Sequence, residues 1–552
     1  MYASERTNRE TGFFDVLSEL RLRTPYGKKR AAAARAFAPG DEAALEAEFD
    51  RLQGVRNMLA AHGDAAKRIE GVFDEIKDLS LTLARCSELV LSTVELFEIK
   101  VLLLRTEALA GIYGEIGSAM PSGFMPEDTS GLLDALDPEG GRMPTFYIYD
   151  LFSEELAALR RRKKEKERLL RADRKRLADE LFAAAGIATD PKFEAVIARG
   201  DTAAMEAARS APQLYAAGED LFSVRFALAA SEAGRALQGE AEALAAEIEE
   251  AEDRVRAELT CAVAAEAARI LRNCDRIGAL DFLMAKAAHA LRHGCVRPVI
   301  TRGHALRIEE GRHLPTERAL REKGHAYRPV SIDLAPGVSC IMGANMGGKT
   351  VSMKLVGLVA AMTGHGFFVP CKSAVVGLSA SISILIGDSQ DLRKGLSSFG
   401  SEMEELNAIL KDSGARALIL IDEIAGATNP AEGRALTRAF IAHLSDKPYI
   451  TLMTTHFDRV ADGGTVANYC VRGLSGANLE DLAAALRDAA PGERLEAIGA
   501  LMDYRLERVM GERDTPKDAI RIAEILGVNK EIIALARIFM EEEHADRTEK
   551  GV

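Results

Sequence analysis

The chain has 552 residues, of which 71 are Lys or Arg and 84 are Asp or Glu, so its formal net charge is -13. This acidic balance excludes a uniformly basic nucleic-acid coat, and any site for a polyanion must be local. The seven cysteines include no C-x-x-C pair, no apolar run approaches a membrane span, and the first residues lack the apolar core of a signal peptide. We therefore expect a folded, cytoplasmic protein of several domains with no membrane partner.

The first half of the chain has a helical pattern. Residues from about 10 to 275 are rich in Ala, Leu, Glu, Arg and Lys and place apolar residues at helical spacing, which predicts an all-α helical core. We expect an N-terminal helical domain at 1–130 and lever-like or clamp-like arms at 145–275. Within the arms, the pattern predicts two long, antiparallel, coiled-coil-like helices at 153–182 and from 219 to about 273.

The second half has a different pattern, which begins near Ile277. Short apolar segments alternate there with helical stretches, as expected for a sheet that is covered on both faces. This predicts an α/β domain at 277–475, followed by a helical segment at 480–552. The predicted strands lie at 295–300, 330–334, 338–342, 381–386, 417–421 and 449–454.

A glycine-rich segment between a predicted strand and a predicted helix fits the P-loop pattern G-x-x-x-x-G-K-[ST]. Its residues are Gly343, Ala344, Asn345, Met346, Gly347, Gly348, Lys349 and Thr350. The glycines would let backbone N–H groups face phosphates, Lys349 would bring positive charge to the β and γ phosphates, and Thr350 would ligate Mg²⁺. A plain glycine turn that caps a helix is the alternative, but such a turn needs no Lys-Thr pair. The segment therefore predicts binding of ATP with Mg²⁺.

Two carboxylates, Asp422 and Glu423, follow the strand predicted at 417–421. The carboxyl ends of strands are where α/β sheets carry their chemistry. Asp422 would hold the Mg²⁺ sphere, and Glu423 would orient or deprotonate the attacking water. The next predicted strand is followed by His456, which would lie beside the carboxylates and sense the γ phosphate. A strand that ends in an acidic turn and a structural histidine are the alternatives, and the order of the three motifs favours the nucleotide site.

These motifs, in this order, resemble the ATPase domain of the MutS family, which is best known for DNA mismatch recognition. Residues 345–349 resemble the family's P-loop, and residues 391–403 resemble the segment before the acidic strand. Residues 518–533 resemble the family's terminal helical pair, which implies that the segment 480–552 closes or dimerises the molecule. The resemblance covers about 277–540 and implies an ABC-type P-loop ATPase domain.

The resemblance also implies that two subunits, either two copies or this chain and a related MutS-like subunit, share each nucleotide. Ser397 would be offered in trans to the partner's γ phosphate from the start of a helix. A simple helix cap is the alternative role for this serine. Two departures from the family pattern stand out. Ala344 replaces the usual Pro, and Ala425-Gly426-Ala427 replaces the usual Gly-Arg-Gly, which puts the standard coupling between subunits in question.

The resemblance is to a short MutS-like branch without the mismatch-recognition domain. The roughly 275 residues before the predicted ATPase domain are too few for mismatch-reading, connector, core and clamp domains together. Residues 71–75 echo the Phe-x-Glu wedge of the mismatch readers, but they stand inside a helical pattern, and we interpret the echo as coincidence.

The run from Arg160 to Arg176 contains eleven basic and three acidic residues, a local charge of +8. On a helix these charges would surround most of the circumference and could contact DNA phosphates without reading bases. The alternative is a solvated arm that pairs with the acidic stretch Glu240–Glu258.

Two functions follow from these patterns. The first is a DNA clamp, closed or released by ATP hydrolysis at a composite dimer interface and acting on mismatched or structured DNA. The second is an ATPase that remodels a protein client, such as a reactivating partner of a cobalamin-dependent aminomutase. The acidic balance, the segment 428–433 and the absent wedge favour the second function, and the arms do not decide between them by sequence.

Overall fold

The computed structural model describes residues 2–343, 348–386, 398–426, 428–457, 460, 466–473, 503–509 and 518–549. The chain forms two compact units. The first contains Met1–Phe73, Glu115–Phe124 and Ile277–Val552, and the second contains Asp74–Gly114 and Met125–Arg276. Within the described ranges, no helix combines the length and the apolar character that crossing a membrane requires.

The α-helices of the described residues are α1 (Glu5–Glu10), α2 (Phe13–Ser18), α3 (Pro25–Ala33), α4 (Glu42–Ala61), α5 (Gly63–Asp74), α6 (Ser80–Arg85), α7 (Thr93–Ile116), α8 (Ser130–Leu136), α9 (Glu154–Ala185), α10 (Thr202–Ser210), α11 (Glu232–His293), α12 (Leu314–Glu322), α13 (Gly348–Gly364), α14 (Ser398–Asp412), α15 (Pro430–Ser445), α16 (Asp518–Ile525) and α17 (Lys530–Glu549). The strands are β1 (Glu194–Ala198), β2 (Leu214–Glu219), β3 (Ser223–Leu228), β4 (Val299–Thr301), β5 (Leu306–Gly311), β6 (Val330–Leu334), β7 (Gly337–Met342), β8 (Ser373–Gly377), β9 (Ser381–Ile386), β10 (Ala417–Asp422), β11 (Ile450–Thr455), β12 (Ala467–Gly473) and β13 (Asp503–Val509).

The first unit is built around a six-stranded sheet with the strand order β13-β12-β7-β11-β10-β9. The strands from β12 to β9 are all parallel, and β13 pairs antiparallel to β12 at the edge. Every residue of β7, β10 and β11 is buried, which explains why these strands are almost continuously apolar in sequence. The unit is therefore a mixed α/β structure with a largely parallel central sheet.

Helices cover the central sheet and form its core. Ile441 and Leu444 of α15 and Leu406 of α14 belong to one buried cluster with the strand residues Ile419 and Ile421. Helix α13 is apolar around most of its circumference and is almost wholly buried, as expected for a helix that is packed on several sides. A second sheet of four strands, in the order β4-β8-β5-β6, belongs to the same unit.

The N-terminal residues pack directly on this α/β core. The Tyr2 hydroxyl donates a hydrogen bond to the Ala360 carbonyl of α13 at 3.2 Å. Arg6 forms an ion pair with Glu405 of α14 at 2.6 Å. The chain start therefore contributes to the first unit as well as the residues from Ile277 onward.

The second unit contains two long antiparallel helices, formed by α9 and the first part of α11. Ser153 caps α9 by accepting a hydrogen bond from the Leu156 N–H, and Gly186 ends it in the left-handed conformation. Across the pair, Arg160 lies 2.6 Å from Glu252, which supports the predicted pairing of the basic run with the acidic stretch. Helix α11 runs on to His293, well beyond the predicted end near residue 273.

The prediction that residues 10–275 are entirely helical is wrong over residues 194–228. There β1, β3 and β2 form a three-stranded antiparallel sheet, with α10 between β1 and β2. The buried strand residues of its core are Ala195 and Ile197 of β1 and Val224 and Phe226 of β3, so the alternation lasts for two buried residues in each of these strands. A period-2 signal this short is lost in an Ala-rich sequence, because alanine fits both kinds of element.

Candidate nucleotide site and basic arm

The three predicted motifs lie at one edge of the six-stranded sheet. Strands β7, β11 and β10 are neighbours and parallel, so their carboxyl ends lie side by side. Gly343 follows β7, Asp422 ends β10, and His456 follows β11. Topology therefore gathers residues that are separated by more than a hundred positions along the chain. Of the predicted site residues, Ala344, Asn345, Met346, Gly347 and Ser397 lie outside the described residues.

Lys349 stands at the start of α13 and is only 3% exposed. Its ammonium donates a hydrogen bond to the Gly343 carbonyl at 2.7 Å and lies 2.8 Å from Glu423 Oε1. A buried cation at the positive end of a helix dipole requires nearby negative groups. A phosphate group could serve as such a partner. Within the protein, the Glu423 carboxylate and the Gly343 carbonyl are the negative groups that contact Lys349.

Two glycines allow the backbone to approach this point closely. Gly343 has φ +137, a conformation that residues with a β-carbon rarely adopt. A β-carbon on Gly348 would lie 2.8 Å from Cδ1 of Tyr504, so the ring fills the space above the start of α13. Larger residues at either position would displace the backbone that positions Lys349.

Oxygen ligands converge beside the lysine. The Thr350 hydroxyl donates a hydrogen bond to Asp422 Oδ2 at 2.8 Å, and the Thr454 hydroxyl donates to Oδ1 of the same carboxylate. Asp422 is 8% exposed and Thr454 is fully buried. Hydroxyl and carboxylate oxygens are the protein ligands that Mg²⁺ prefers, and the Thr350–Asp422 pair therefore fits an octahedral divalent cation with water completing its sphere. Together with the buried ammonium, this donor set fits a nucleoside triphosphate with Mg²⁺.

Sequence reasoning missed the part played by Thr454. The residue was noted only as part of a strand, although a pair of hydroxyl residues at the end of a buried apolar strand is itself a signal. Its hydroxyl occupies one oxygen of Asp422 and leaves the other to Thr350, which fixes the orientation of the carboxylate.

Glu423 begins a turn with an unusual backbone. Glu423 has φ +48 and Ala425 has φ +58, both in the left-handed region, where a non-glycine residue costs about 1 kcal/mol or more. The Glu423 N–H donates to the Thr454 carbonyl of β11 at 3.2 Å, which holds the turn against the neighbouring strand. Ala425 stands where the MutS pattern usually has glycine, so this departure places a β-carbon at a strained position.

Helix α14 and His456 adjoin the same turn. Glu402 Oε1 accepts a hydrogen bond from the Ala425 N–H at 3.3 Å, and burial raises the pKa of Glu402. His456 is exposed and its ring lies 4.3 Å from that of Phe457, measured between centroids. A β-carbon on Gly426 would lie 3.7 Å from the His456 ring, so the histidine borders the turn that carries Glu423.

The basic run 160–176 lies on α9, and two groups of its charges differ in their surroundings. The first group forms ion pairs: Arg160 with Glu252 at 2.6 Å and Lys166 with Glu240 at 2.5 Å, both on α11. These pairs stabilise the packing of the two helices and account for part of the positive charge.

The second group forms a stripe along one face of α9, here called the basic stripe. Its members are spaced by three and four residues and are all exposed: Arg161, Lys164, Arg168, Arg171 and Lys175. Arg168 pairs with Glu165 on the same helix at 2.7 Å. For the other four, no acidic partner is found among the residues that the structure describes. The stripe is about 21 Å long at 1.5 Å per residue.

Comparison with known proteins bears on the nucleotide site. The family model of MutS domain V matches residues 339–479. A DNA mismatch repair protein MutS of Anaeromyxobacter dehalogenans is 31% identical over 311 residues, which cover 54% of this chain and 33% of that protein. An Endonuclease MutS2 of Acetivibrio thermocellus is 32% identical over 233 residues, which cover 42% of this chain and 29% of that protein.

A DNA mismatch repair protein MutS of Syntrophobacter fumaroxidans is 35% identical over 217 residues, covering 39% of this chain and 24% of that protein. The matches therefore span about a third or less of the length of these relatives. The matched family domain contains Lys349, Thr350, Asp422, Glu423 and His456, the residues gathered at the edge of the central sheet. Residues 339–479 are therefore similar to MutS domain V, and the chain shares this region with MutS and MutS2 proteins.

Proposed function

We propose that this protein is a MutS-like ATPase that uses hydrolysis of ATP to clamp or release DNA. The observation that carries the ATPase proposal is the arrangement of Lys349, Thr350, Asp422 and Glu423 at one sheet edge. The domain V match and the mismatch-repair and endonuclease names of the relatives favour DNA as the ligand.

In this proposal each residue has one task. Lys349 binds the β and γ phosphate oxygens, and Thr350 and Asp422 hold Mg²⁺, which neutralises negative charge on the phosphates when it is bound. Glu423 orients a water molecule and accepts its proton at a carboxylate oxygen. The water oxygen bonds to the γ phosphorus while the bond from the γ phosphorus to the β–γ bridging oxygen breaks, which yields ADP and phosphate. His456 borders the turn and senses the γ phosphate.

The Lys349–Glu423 contact of 2.8 Å suggests how binding and chemistry are linked. Phosphate oxygens compete with Glu423 for the lysine ammonium, because both offer negative charge to the same donor. When the lysine turns to the phosphates, the carboxylate becomes available to water. ATP binding would thereby activate the base that hydrolyses it.

We further propose that two subunits complete each site. Ser397 would be offered to the nucleotide of an identical or related MutS-like subunit, at the start of α14. The hydrogen bond between Glu402 and the Ala425 N–H joins α14 to the turn of Glu423, so a contact made at the start of this helix can reach the catalytic turn of its own subunit. This route would serve subunit coupling in a chain whose 425–427 segment differs from the family pattern.

The basic stripe is the proposed DNA contact. Exposed arginines and lysines at intervals of one helical turn can each meet a phosphate without reading a base. Binding would then depend on DNA shape or on the closed state of the protein rather than on sequence. This suits a clamp without a mismatch-reading wedge.

The second candidate is remodelling of a protein client, including reactivation of a cobalamin-dependent aminomutase. One observation favours it: apolar side chains are exposed on the small β1–β3 sheet and on its β2–β3 turn. Leu221 and Phe222 of the turn are 87% and 81% exposed, and Val196 of β1 is 65% exposed. Exposed apolar groups of this size fit a protein surface better than a phosphate backbone.

The test is steady-state ATPase activity with plain, mismatched and branched duplex DNA at two salt concentrations. Arg161, Lys164, Arg171 and Lys175 are replaced together by Ala. The matched control replaces four exposed basic residues elsewhere by Ala: Lys28, Arg35, Lys67 and Lys323. We expect DNA to stimulate the wild type and the control, and the stripe variant to lose this stimulation while it keeps basal activity.

The salt dependence adds a second readout. The slope of log affinity against log salt should become shallower in the stripe variant by up to about 4, roughly one for each lost phosphate contact. ATPase activity that ignores all three DNA forms would contradict the clamp. In that case the protein-client candidate is tested by replacing Leu221 and Phe222 with Ser and measuring capture of a purified aminomutase.

A further inference from the structure

We propose that Glu19, His289 and His293 form a binding site for a transition-metal cation of the zinc class. This site lies in the first unit and shares no residue with the nucleotide site. It is independent of the proposed ATPase function.

The three side chains come from two elements. His289 and His293 stand one turn apart on the same face of α11, with ring centroids 4.5 Å apart, and Glu19 directly follows α2. Glu19 Oε2 lies 2.7 Å from His293 Nε2 and 3.7 Å from His289 Nε2. All three potential ligand atoms lie within 4.8 Å of one another, so small side-chain movements bring them around one ion.

His289 supplies the independent reason to place a ligand here. Its side chain is 2% exposed, and its Nε2 atom has no hydrogen-bond partner among the described residues. A buried polar atom left without a partner destabilises the folded state, so such atoms are rare and usually have a ligand or a function. A structural ion pair of Glu19 with His293 accounts for His293 alone, whereas a cation between the three groups satisfies His289 as well.

The surroundings hold the ligands in a suitable state. His289 is almost fully buried, and a metal ion binds the neutral form of an imidazole ring. Arg318 donates to Glu19 Oε1 at 2.7 Å and to Asp15 at 2.9 Å, which fixes the carboxylate and leaves Oε2 directed at the histidines.

The ligand set determines the class of ion. Two imidazoles and one carboxylate suit Zn²⁺ and its neighbours in the first transition row, with a water in the fourth position. A groove of about 230 Å³ is lined by Glu19 and His293 and offers a path from solvent. Arg292, Arg318 and Arg321 also line the groove and repel a free cation, so affinity must come from direct ligation.

The experiment uses Co²⁺ as a spectroscopic probe on the full chain after treatment with a chelator. We expect one Co²⁺ per chain with visible d–d bands, displacement of the bands by Zn²⁺, and a rise in thermal stability on adding Zn²⁺ alone. His293→Ala and Glu19→Gln should weaken Co²⁺ binding at least about tenfold, because each removes one ligand. His62→Ala, on an exposed histidine, should bind like the wild type.

Several outcomes would overturn the site. One is no stoichiometric Co²⁺ or Zn²⁺ at micromolar concentration. Another is a band of thiolate charge transfer, which would place the ion on some of the seven cysteines. A third is unchanged binding in His293→Ala. His289→Ala is less decisive because it opens a buried space, so the two more exposed ligands carry the test. ATPase activity is not a readout, and its loss or retention leaves this result unaffected.

Discussion

The nucleotide edge of the central sheet and the basic stripe of α9 use the same residue types in opposite ways. At the sheet edge Lys349 is 3% exposed and lies within hydrogen-bond distance of Glu423 and the Gly343 carbonyl. On α9 the lysines and arginines of the stripe face solvent. A buried charge interacts strongly with a few neighbouring groups. An exposed charge interacts weakly with each partner because water and salt screen it, so exposed charges have a large effect only when many act together. Single substitutions should therefore be severe at the sheet edge and mild on the arm.

Lys349→Ala tests the severe end of the comparison. We expect ATP hydrolysis to fall by about a thousandfold, because the ammonium that binds the β and γ phosphates is removed and Glu423 loses its buried partner. Steady-state ATPase activity and binding of a fluorescent ATP analogue measure the effect. Lys372→Ala, at an exposed lysine paired with Glu309, is the control and should keep full activity. Full activity in Lys349→Ala would remove the proposed site.

Glu423→Gln should separate binding from turnover. The amide has nearly the shape of the carboxylate but cannot accept a proton, so we expect ATP binding to persist and hydrolysis to fall about a hundredfold. The variant should accumulate as a closed dimer with ATP, which mass measurement in solution detects. Glu432→Gln, on an exposed glutamate at the start of α15, provides the control. Rapid turnover in Glu423→Gln would show that another group accepts the proton.

Thr454→Val and Thr451→Val make a matched pair within β11. Both threonines are fully buried, but the Thr454 hydroxyl donates to Asp422, whereas Thr451 Oγ1 has no partner among the described residues. We expect Thr454→Val to raise the Mg²⁺ concentration for half-maximal activity about tenfold, since the orientation of Asp422 is lost. Thr451→Val should leave this value unchanged and should keep or slightly raise thermal stability.

Thr454→Ser completes that test, because it restores the hydroxyl and removes only a methyl group. If Thr454→Ser has the wild-type Mg²⁺ concentration for half-maximal activity, the effect of Thr454→Val comes from the lost hydrogen bond to Asp422. Equal effects of Thr454→Val and Thr451→Val would instead assign it to general repacking of the strand.

The comparison also explains what could be predicted from the sequence. Strands β6, β7, β9, β10 and β11 are confirmed close to their predicted bounds. The wholly buried β7 and β10 appear in the sequence as nearly continuous apolar runs, whereas β6 alternates buried and exposed residues. Lys349 and Thr350 are predicted from the P-loop pattern, and Asp422 and Glu423 from their position after an apolar strand. The parallel order of the strands places these residues together. Their catalytic and binding roles stay predictions.

Other features depend on packing between distant parts of the chain. The contact of Tyr2 with Ala360 joins residues 358 positions apart, and no local pattern indicates it. The Thr454–Asp422 hydrogen bond likewise depends on strand order. The sequence does not predict the short sheet at 194–228, because few of its residues are buried. Nor does it predict the left-handed backbone of Glu423 and Ala425, because glutamate and alanine rarely adopt this conformation.

Arg171→Ala tests the mild end of the comparison. Arg171 is exposed and sits in the middle of the basic stripe, so its loss should remove about one phosphate contact without disturbing the packing of α9 on α11. We expect DNA affinity to fall a few-fold at low salt and the salt slope to decrease by about 0.9. The difference from the wild type should therefore shrink about threefold between about 50 mM and about 200 mM salt. Arg254→Ala, at an exposed arginine of α11 paired with Glu155, is the control. If the difference in DNA affinity between the wild type and Arg171→Ala stays constant with salt, Arg171 acts through packing or a protein contact. The basic stripe would then not act as a set of exposed, salt-screened charges, and the contrast with the buried charges of the sheet edge would fail.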